Sequence, residues 1–398
     1  MLIKREPYFS KILGYKDKKI IKVVTGVRRC GKSTLLSMYR QYLLDNGVDT
    51  EQIIFINFED LKYENILDKS SLYEYLSENM SKDKMNYIFL DEVQNVSEFE
   101  KVINSVFLRE NVDIYITGSN SYMLSGELAT FLTGRYIQIE MLPFSLAEYE
   151  KILNISDNSK GYRSYIENTS FPYAINLTEK NQKNEYLKGI YNSIVLKDIV
   201  QRKNITDVMM LESVLRFVSD NIGSILSTRS ISNSMTSNGR SISTKTVESY
   251  LNSFMESYLI YKVDRFDVKG KEYLKTLEKY YIVDIGLRNT MLGKINGADL
   301  GHILENVVFL ELKRRNYELF IGKVGSFEVD FVAKKENEIN YFQVALSVRD
   351  ENTLQRELRP LLMIKDNYPK YILTLDDDPQ TTYDGIVIIN ALEFLQSN

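Results

Sequence analysis

The 398-residue sequence predicts an α/β fold that begins with a doubly wound parallel sheet. From residue 20 to about 145, short apolar runs alternate with helical patterns, and the centres of the runs are nearly all apolar. Apolar centres are typical of parallel strands covered on both faces, and the alternation favours doubly wound connections. The predicted strands are Ile20–Thr25, Ile53–Asn57, Tyr87–Asp91, Val112–Thr117 and Tyr136–Met141. The predicted helices lie near Ser33–Asn46, Ser70–Asn79, Glu98–Arg109 and Ser121–Leu132.

The pattern changes after Pro143, and we expect four segments in all. These are an α/β domain over 1–145, a helical linker or lid over 146–204, helices with a β-hairpin over 205–297, and a small α/β domain over 298–398. The Ser/Asn-rich stretch Ser227–Ser243 is interpreted as a loop between two helices. The strands predicted for the last segment are Leu319–Ile321, Glu328–Ala333, Tyr341–Val344, Tyr371–Thr374 and Gly385–Ile389.

Charge, cysteine content and the lack of long apolar runs lead us to expect a cytoplasmic protein. A formal net charge of −4 and a pI of about 5.5 argue against a surface coated in positive charge, although a local basic face stays compatible with them. Cys30 is the single cysteine, so an internal disulfide is excluded and a reducing compartment is expected. No stretch approaches the roughly 20 apolar residues that span a bilayer, so we expect no membrane segment.

A glycine-rich segment follows the first predicted strand and opens the first predicted helix. It fits the pattern G-x-x-x-x-G-K-[ST] at every fixed position. Glycines let backbone N–H groups wrap phosphates, whereas the bland alternative is a simple turn between strand and helix. Lys32 is expected to reach the β- and γ-phosphates of ATP, and Ser33 to ligate Mg²⁺. The expected nucleotide-binding residues are Gly26, Val27, Arg28, Arg29, Cys30, Gly31, Lys32, Ser33 and Thr34.

Three side chains inside this segment are open to two interpretations. Arg28 and Arg29 either add affinity for phosphate or face solvent. Cys30 is interpreted as a small residue that fills the loop rather than as a redox sensor, although its oxidation is expected to block nucleotide binding.

A pair of carboxylates ends the third predicted strand. Asp91 is expected to hold Mg²⁺ through water, and Glu92 to polarise the attacking water as a general base. The alternative is an ordinary turn at the end of a strand. A base built into the site favours hydrolysis over transfer to a small acceptor.

Further polar residues follow the other predicted strands. Ser119 and Asn120 are candidates to orient water or sense the γ-phosphate, or else to cap the next helix. Asn57 and Glu59 are candidates to restrain Glu92. Arg135 either stabilises charge on the γ-phosphate, within its own subunit or across an interface, or is a surface arginine. The expected catalytic residues are Glu92, Lys32, Arg135 and Asn120.

Taken together, these residues resemble the prokaryotic AAA-like P-loop ATPases of the archaeal-ATPase type. The resemblance covers almost the whole chain. Its most specific elements are Gly26–Thr34, Leu90-Asp91-Glu92, Thr117-Gly118-Ser119, Gly134-Arg135 before Leu142-Pro143-Phe144-Ser145, and Tyr280–Leu287. It implies ATP binding and hydrolysis, a winged-helix middle region and a C-terminal domain similar to restriction endonucleases.

The implied winged helix has two candidate uses, DNA binding or packing against the ATPase or a partner protein. Its first helix is placed at Ile225–Met235, and its second over 243–260 has an apolar stripe. On the exposed face of the second helix, Lys245 stands against Glu256, which gives little attraction for phosphate. The basic residues expected in the wing are Arg265, Lys269, Lys271 and Lys275.

The implied endonuclease-like domain is expected not to cut. Glu305 suits the helix acid of such a site and Asp330 its second acid. The third place reads Gln343-Val344-Ala345, in which glutamine is a poor metal ligand and alanine cannot activate water. The leading hypothesis is therefore an ATP-driven switch that acts on the later domains, with an ATP-regulated DNA nuclease as the alternative. A small-molecule kinase lacks a recognisable acceptor pocket.

Overall fold

The computed structural model describes residues 3–119, 132, 134–270, 272–293 and 299–397. Its chain forms two compact units. The first comprises the chain up to Pro143 together with Glu256–Tyr258, and the second comprises Phe144–Met255 and the chain from Leu259 onward. No helix in the described ranges combines the length and the apolar character that crossing a bilayer requires.

The first unit alternates strands and helices, as the sequence predicts. Its strands are β1 (Ile21–Thr25), β2 (Ile53–Asn57), β3 (Asn86–Asp91), β4 (Val112–Gly118) and β5 (Tyr136–Glu140). Its helices are α1 (Glu6–Gly14), α2 (Lys32–Asp45), α3 (Lys69–Asn79) and α4 (Phe99–Phe107). The sequence analysis missed α1, and the predicted helix Ser121–Leu132 lies, apart from Leu132, outside the described residues.

The five described strands of this unit form a parallel sheet in the order β2-β3-β4-β1-β5. Every residue of β1, β3 and β4 is buried, because both faces of the central strands are covered. In the register, Thr25 is paired with Gly118 and Asn57 with Asp91, so the carboxyl ends of the strands meet at one edge. The predicted doubly wound α/β sheet is confirmed.

The second unit begins with helices and then becomes mixed. Its helices are α5 (Leu146–Leu153), α6 (Asn158–Glu167), α7 (Lys180–Asn192), α8 (Val208–Asp220), α9 (Thr228–Ser237), α10 (Thr244–Glu256), α11 (Ile285–Leu292), α12 (Leu300–Arg314), α13 (Glu351–Leu362) and α14 (Ala391–Gln396). A π-helical segment, Ser193–Gln201, follows α7. Its strands are β6 (Ile225–Leu226), β7 (Ile260–Asp267), β8 (Glu272–Ile282), β9 (Glu318–Val324), β10 (Phe327–Lys335), β11 (Glu338–Ala345), β12 (Lys370–Thr374), β13 (Thr381–Tyr383) and β14 (Ile386–Asn390).

Nine described strands of the second unit form one sheet in the order β13-β14-β12-β11-β10-β9-β7-β8-β6. The hairpin β7–β8 joins the later strands because β7 runs parallel to β9, with Arg265 beside Ile321. The middle and last predicted segments therefore share a sheet.

The Ser/Asn-rich stretch is not a loop, which corrects the sequence prediction. It contains α9, whose first turn is capped because the Ser227 hydroxyl accepts a hydrogen bond from the Ser230 backbone N–H. Ile231 and Met235, one turn apart, are buried and anchor the helix. Serine favours caps as well as loops, and here the apolar pair decides.

Candidate functional site

The glycine-rich segment leads from β1 directly into α2. Gly31 occupies the N-cap position of α2 without a side-chain cap, so the first backbone N–H groups of the helix are left for another acceptor. The Lys32 side chain is 4% exposed and curls back over its own loop. Its Nζ donates to the carbonyl oxygens of Gly26 at 3.1 Å and Val27 at 3.3 Å.

Close packing explains why a glycine begins this loop. Gly26 has φ of 138°, and a Cβ there would collide with the carbonyl oxygen of Met141 and lie 3.2 Å from Cys30 Sγ. Cys30 itself is fully buried, and burial raises the pKa of its thiol. Cys30 therefore packs inside the loop, as the sequence analysis expected of a filler.

Two carboxylates stand at the same edge of the sheet, at the end of β3. Asp91 is fully buried and accepts a hydrogen bond from Thr117 Oγ1 at 2.5 Å. The same Thr117 oxygen accepts from the Glu92 backbone N–H at 2.9 Å. Glu92 has a left-handed backbone with φ of 55°, an uncommon conformation for this residue type. Thr117 lies on β4, the strand between β3 and β1, and its hydroxyl holds both acidic residues in place.

The pKa values of the two acids are shifted in opposite directions. Burial raises the pKa of Asp91, with the Thr117 and Ser33 hydroxyls acting in the opposite direction. Burial also opposes ionisation of Glu92, but Lys32 and a hydrogen bond from Gln94 hold the pKa of Glu92 below its usual value. Lys32 Nζ lies 3.7 Å from Glu92 Oε1. Glu92 is therefore a charged carboxylate at neutral pH and is available to accept a proton.

The donor set fits a magnesium-bound nucleotide. Asp91 Oδ2 is buried and has no hydrogen-bond partner among the described residues, and the other oxygen of Asp91 is held by Thr117. The Ser33 hydroxyl is within hydrogen-bonding reach of the same carboxylate. A carboxylate and a hydroxyl are oxygen ligands of the kind that Mg²⁺ takes, alongside waters and phosphate oxygens. Ser33 and Asp91 would hold the ion in this arrangement.

Other predicted residues are distributed unevenly around this edge. Arg28 Nη1 pairs with Glu59 Oε1 at 3.0 Å, and Asn57 Oδ1 accepts from the Glu59 backbone N–H. Ser119 is buried and hydrogen-bonds Glu92. Asn120 lies outside the described residues.

The structure does not bring Arg135 to the phosphate loop. Its backbone oxygen accepts from the Ile21 N–H at the amino end of β1, whereas the loop follows the carboxyl end of that strand. Its exposed guanidinium donates to Asn104 Oδ1 at 2.6 Å. A role for Arg135 on the γ-phosphate of its own subunit is therefore wrong, since a strand of five residues separates it from the loop.

A second group of buried charges lies in the second unit. Lys279 on β8 is 4% exposed, and its Nζ lies 2.9 Å from Glu305 Oε1, 2.8 Å from Glu328 Oε1 and 3.4 Å from Asp330 Oδ1. Tyr281, two residues along β8, donates to Glu305 Oε1 at 2.6 Å. We call Lys279, Glu305, Glu328 and Asp330 the lysine-centred cluster. The predicted nuclease acids do meet, but an ammonium group lies between them.

This cluster does not fit a divalent metal ion. In the described ranges no group of three or more His, Cys, Asp or Glu side chains is arranged to hold one. Burial raises the pKa of Glu305 to about 7 against the pull of Lys279, while the three carboxylates raise the pKa of Lys279 against its own burial. Gln343 donates to Glu357 of α13 at 2.7 Å and accepts from the Asp330 backbone N–H at 2.9 Å, so both ends of its side-chain amide are engaged within the protein and it is no third ligand.

Three important residues escaped the sequence analysis. Thr117 was noted only as part of a strand end, although it organises both acids of the first site. Gln94 holds Glu92 and Lys279 holds the second cluster, and neither belongs to a local motif. For Lys279 the sequence offers only its place directly before the apolar run Tyr280–Val283.

Comparison with known proteins concerns the domain that contains the first site. Residues 18–150 match the family model described as an AAA domain, and residues 159–297 match a domain of unknown function. An uncharacterized protein of Haemophilus influenzae is 41% identical over 399 residues, which covers 99% of this chain and 98% of the relative. An uncharacterized protein of Methanocaldococcus jannaschii is 31% identical over 379 residues, covering 90% of this chain and 82% of the relative.

Among solved structures, the Walker-type ATPase of Pyrococcus abyssi is similar with a TM-score of 0.51 and 14% sequence identity. The match covers 73% of this chain and 96% of that one. At this identity the likeness concerns the fold alone, and it agrees with the parallel sheet of the first unit.

Proposed function

The chain belongs to one family with its Haemophilus influenzae and Methanocaldococcus jannaschii relatives and carries an AAA-like P-loop ATPase domain, and on that premise we propose that it binds ATP with Mg²⁺ and hydrolyses it. The observation that carries the proposal is the convergence of Lys32, Asp91 and Glu92 at one edge of the sheet. Bound Mg²⁺ would supply charge neutralisation at the phosphates.

The residues of the chain divide the work. The backbone N–H groups of the loop and of the start of α2 donate to phosphate oxygens, and Lys32 exchanges the carbonyls of Gly26 and Val27 for the β- and γ-phosphates. Ser33 would ligate the ion, and Asp91 would hold it through water. Glu92, ionised and fixed by Gln94, takes the proton of the attacking water.

Calorimetry tests this proposal at its base. The parent chain is expected to release or absorb heat on titration with Mg²⁺ and ATP, and Lys32→Ala to lose the binding. Lys101→Ala is the matched control, because this exposed lysine lies on α4 and pairs with Glu98. An absence of heat with the folded parent chain, or equal binding by Lys32→Ala, would contradict ATP binding at this loop.

We further propose that the nucleotide state acts as a switch on the second unit. The proposed segments are the ATPase over 1–145, a helical linker over 146–204, a winged-helix-like segment over 205–297 and an endonuclease-like segment over 298–398. The order α8, β6, α9, α10, β7, β8 supports the winged-helix assignment, because β6 and β7 both pair with β8 in antiparallel fashion. A DNA or protein partner would bind these later segments.

The lysine-centred cluster supports a last segment that does not cut DNA. A nuclease would need a metal ion between its acids, and Lys279 occupies that space. Incubation of the chain with plasmid, Mg²⁺ or Mn²⁺ and ATP is therefore expected to leave the plasmid intact. Nicking by the parent chain that disappears in Asp330→Ala would favour the alternative, an ATP-regulated nuclease.

Arg135 keeps one proposed catalytic role, in a neighbouring subunit. Its exposed position supports contact with another copy. In that case the ATPase rate per chain rises with protein concentration, and Arg135→Ala removes the rise. A rate independent of concentration would leave Arg135 a surface residue.

A further inference from the structure

A cleft of about 850 Å³ lies in the second unit beside α13. Lys269, in the turn after β7, forms one side, and Phe327 at the start of β10 forms another. The face of α13 that lines the cleft presents Asn352, Gln355, Arg356 and Arg359. Their spacing of three, four and seven residues places them on one side of the helix. Lys365 lies just beyond the end of the helix.

The described lining of the cleft carries four positive charges and no carboxylate. Arg356 is partly neutralised by Glu357 at 2.8 Å. Among the described residues, Arg359 and Lys365 form no salt bridge, whereas Asp267 accepts from the Lys269 backbone N–H at 3.0 Å and offsets part of the Lys269 charge. Just outside the lining, Glu351 accepts a hydrogen bond from Gln355 at 2.8 Å. This concentration of positive charge opposes the formal net charge of −4 for the whole chain.

An aromatic surface accompanies the charge. The Arg359 guanidinium lies 4.7 Å from the centroid of the half-buried Phe327 ring. Phenyl rings and guanidinium planes both stack on nucleic-acid bases, and such stacking tolerates any base. The amide of Asn352 adds a neutral donor and acceptor to the same face.

We propose that this cleft binds a short stretch of single-stranded nucleic acid. Lys269, Arg356, Arg359 and Lys365 contact its phosphates, and an unpaired base stacks against Phe327 and Arg359. A duplex would offer the phosphates but not a free base face, which favours the single strand. Because Lys269 follows β7 and the other cations belong to α13, the hairpin of the middle segment and the last segment bind the ligand together.

The lysine-centred cluster is not involved in binding at the cleft. Along β10, Phe327 contacts Arg359 of α13 and Val329 packs in the core cluster that includes Leu358 of the same helix. Glu328 and Asp330, which alternate with them, pair with Lys279. The cleft and the lysine-centred cluster thus lie on opposite faces of the same strand. Binding in the cleft therefore does not bring the nucleic acid onto the three carboxylates.

Fluorescence anisotropy with a labelled oligodeoxythymidine and the full chain, without ATP, tests the proposal. The parent chain is expected to bind, and Lys269→Glu/Arg359→Glu to weaken binding at least about tenfold. For this double variant, the slope of the logarithm of the binding constant against the logarithm of the salt concentration should become less steep by about 1.4, at about 0.7 for each lost phosphate contact. Lys188→Glu on α7 is the control, because it makes one of the same charge reversals at an exposed lysine away from the cleft. Unchanged binding by the double variant would overturn the proposal.

The aromatic contact has a separate signature. Phe327→Leu is expected to weaken single-strand binding about tenfold while leaving the salt slope unchanged, since no phosphate contact is removed. Circular dichroism confirms that each variant is folded, and Lys365→Glu gives a second, milder test of charge. Equal affinity of the parent for single-stranded and duplex DNA, or no binding to either, would contradict the proposal. The measurement is made without ATP, so a negative result here is distinct from failure of the ATPase assignment.

Discussion

Lys32 in the first unit and Lys279 in the second are both buried beside carboxylates, and their partners differ in kind. Lys32 donates to two backbone carbonyls of its own loop and approaches Glu92 Oε1 at 3.7 Å. One oxygen of the neighbouring Asp91 has no hydrogen-bond partner within the described ranges. Lys279 approaches three carboxylates within 3.4 Å, and Tyr281 adds a hydrogen bond to one of them.

The difference teaches how the same residue types make an open site or a closed one. Around Lys32 the hydrogen-bond donors and acceptors are incompletely paired, so bound phosphate groups would take the free donors and a bound cation would take the free carboxylate oxygen. Around Lys279 three carboxylates share one ammonium group, and burial raises the pKa of one of them, Glu305, to about 7, so a further cation would meet the ammonium group. Removing one partner of a buried ion pair strongly destabilises a protein, because the other charge stays buried without compensation. The lysine-centred cluster, which we call the closed cluster below, is therefore structural.

The largest expected effect breaks the closed cluster. Lys279→Met leaves Glu305 and its neighbours without a cation, and the free energy of unfolding is expected to fall by about 3–5 kcal/mol. Urea denaturation followed by circular dichroism measures the change. Lys262→Met, on the adjacent strand and paired with Asp264, should cost less than about 1 kcal/mol. The double variant Lys279→Met/Glu305→Gln should recover part of the loss.

The loss should also depend on pH. Burial raises the pKa of Glu305 to about 7, above an ordinary value of 4.5, so the folded chain keeps this proton where the unfolded chain has released it. Stability from this group is therefore lost as the pH rises from about 4.5 towards 7. Without Lys279 the pKa of Glu305 rises further, so the penalty should be larger at pH 8 than at pH 5. A penalty independent of pH would argue against a charged cluster.

The next effect tests the open site. Glu92→Gln keeps the shape of the side chain but cannot take a proton, so kcat for ATP hydrolysis should fall about 100-fold while ATP still binds. Steady-state turnover and calorimetry separate these two quantities. Glu98→Gln, an exposed acid six residues later, is the control. Equal turnover by Glu92→Gln and the parent would take Glu92 out of the mechanism.

A smaller effect tests the strand that holds the acids. Thr117→Val preserves volume but removes the hydroxyl that donates to Asp91 and accepts from the Glu92 backbone. We expect about a tenfold lower kcat with Mg²⁺, because the two carboxylates lose their shared support. Thr117→Ser restores a hydroxyl and should recover most of the activity. Failure of serine to rescue would mean that the methyl group, rather than the hydrogen bonds, matters.

The smallest effect concerns Cys30, the single cysteine. Burial raises the pKa of its thiol, so its thiolate is scarce at neutral pH and a thiol reagent should react slowly with the folded chain and rapidly in urea. Cys30→Ser should change the affinity for ATP by less than about threefold. Fast labelling of the folded chain would show that the loop opens far more than its packing indicates.

Much of the first unit was predictable because its signals are local. The glycine-rich segment is continuous in sequence, and its position between β1 and α2 follows from apolar and helical patterns that adjoin it. The acids at the end of β3 likewise adjoin an apolar strand. The strand order was not predictable, and it alone puts Thr117 of β4 between the loop strand and the acids.

The sequence by itself determined the phosphate loop, the carboxylate pair and the alternation of strands and helices, because each depends on residues close along the chain. Only the tertiary structure decided that β5 pairs in parallel with β1, which puts Arg135 at the amino edge of the sheet, and that Lys279 enters the lysine-centred cluster. Lys279 is 26 residues from Glu305 and 51 from Asp330, and their meeting depends on how strands are ordered in the sheet. No local pattern encodes that order, because it results from the packing of the whole unit.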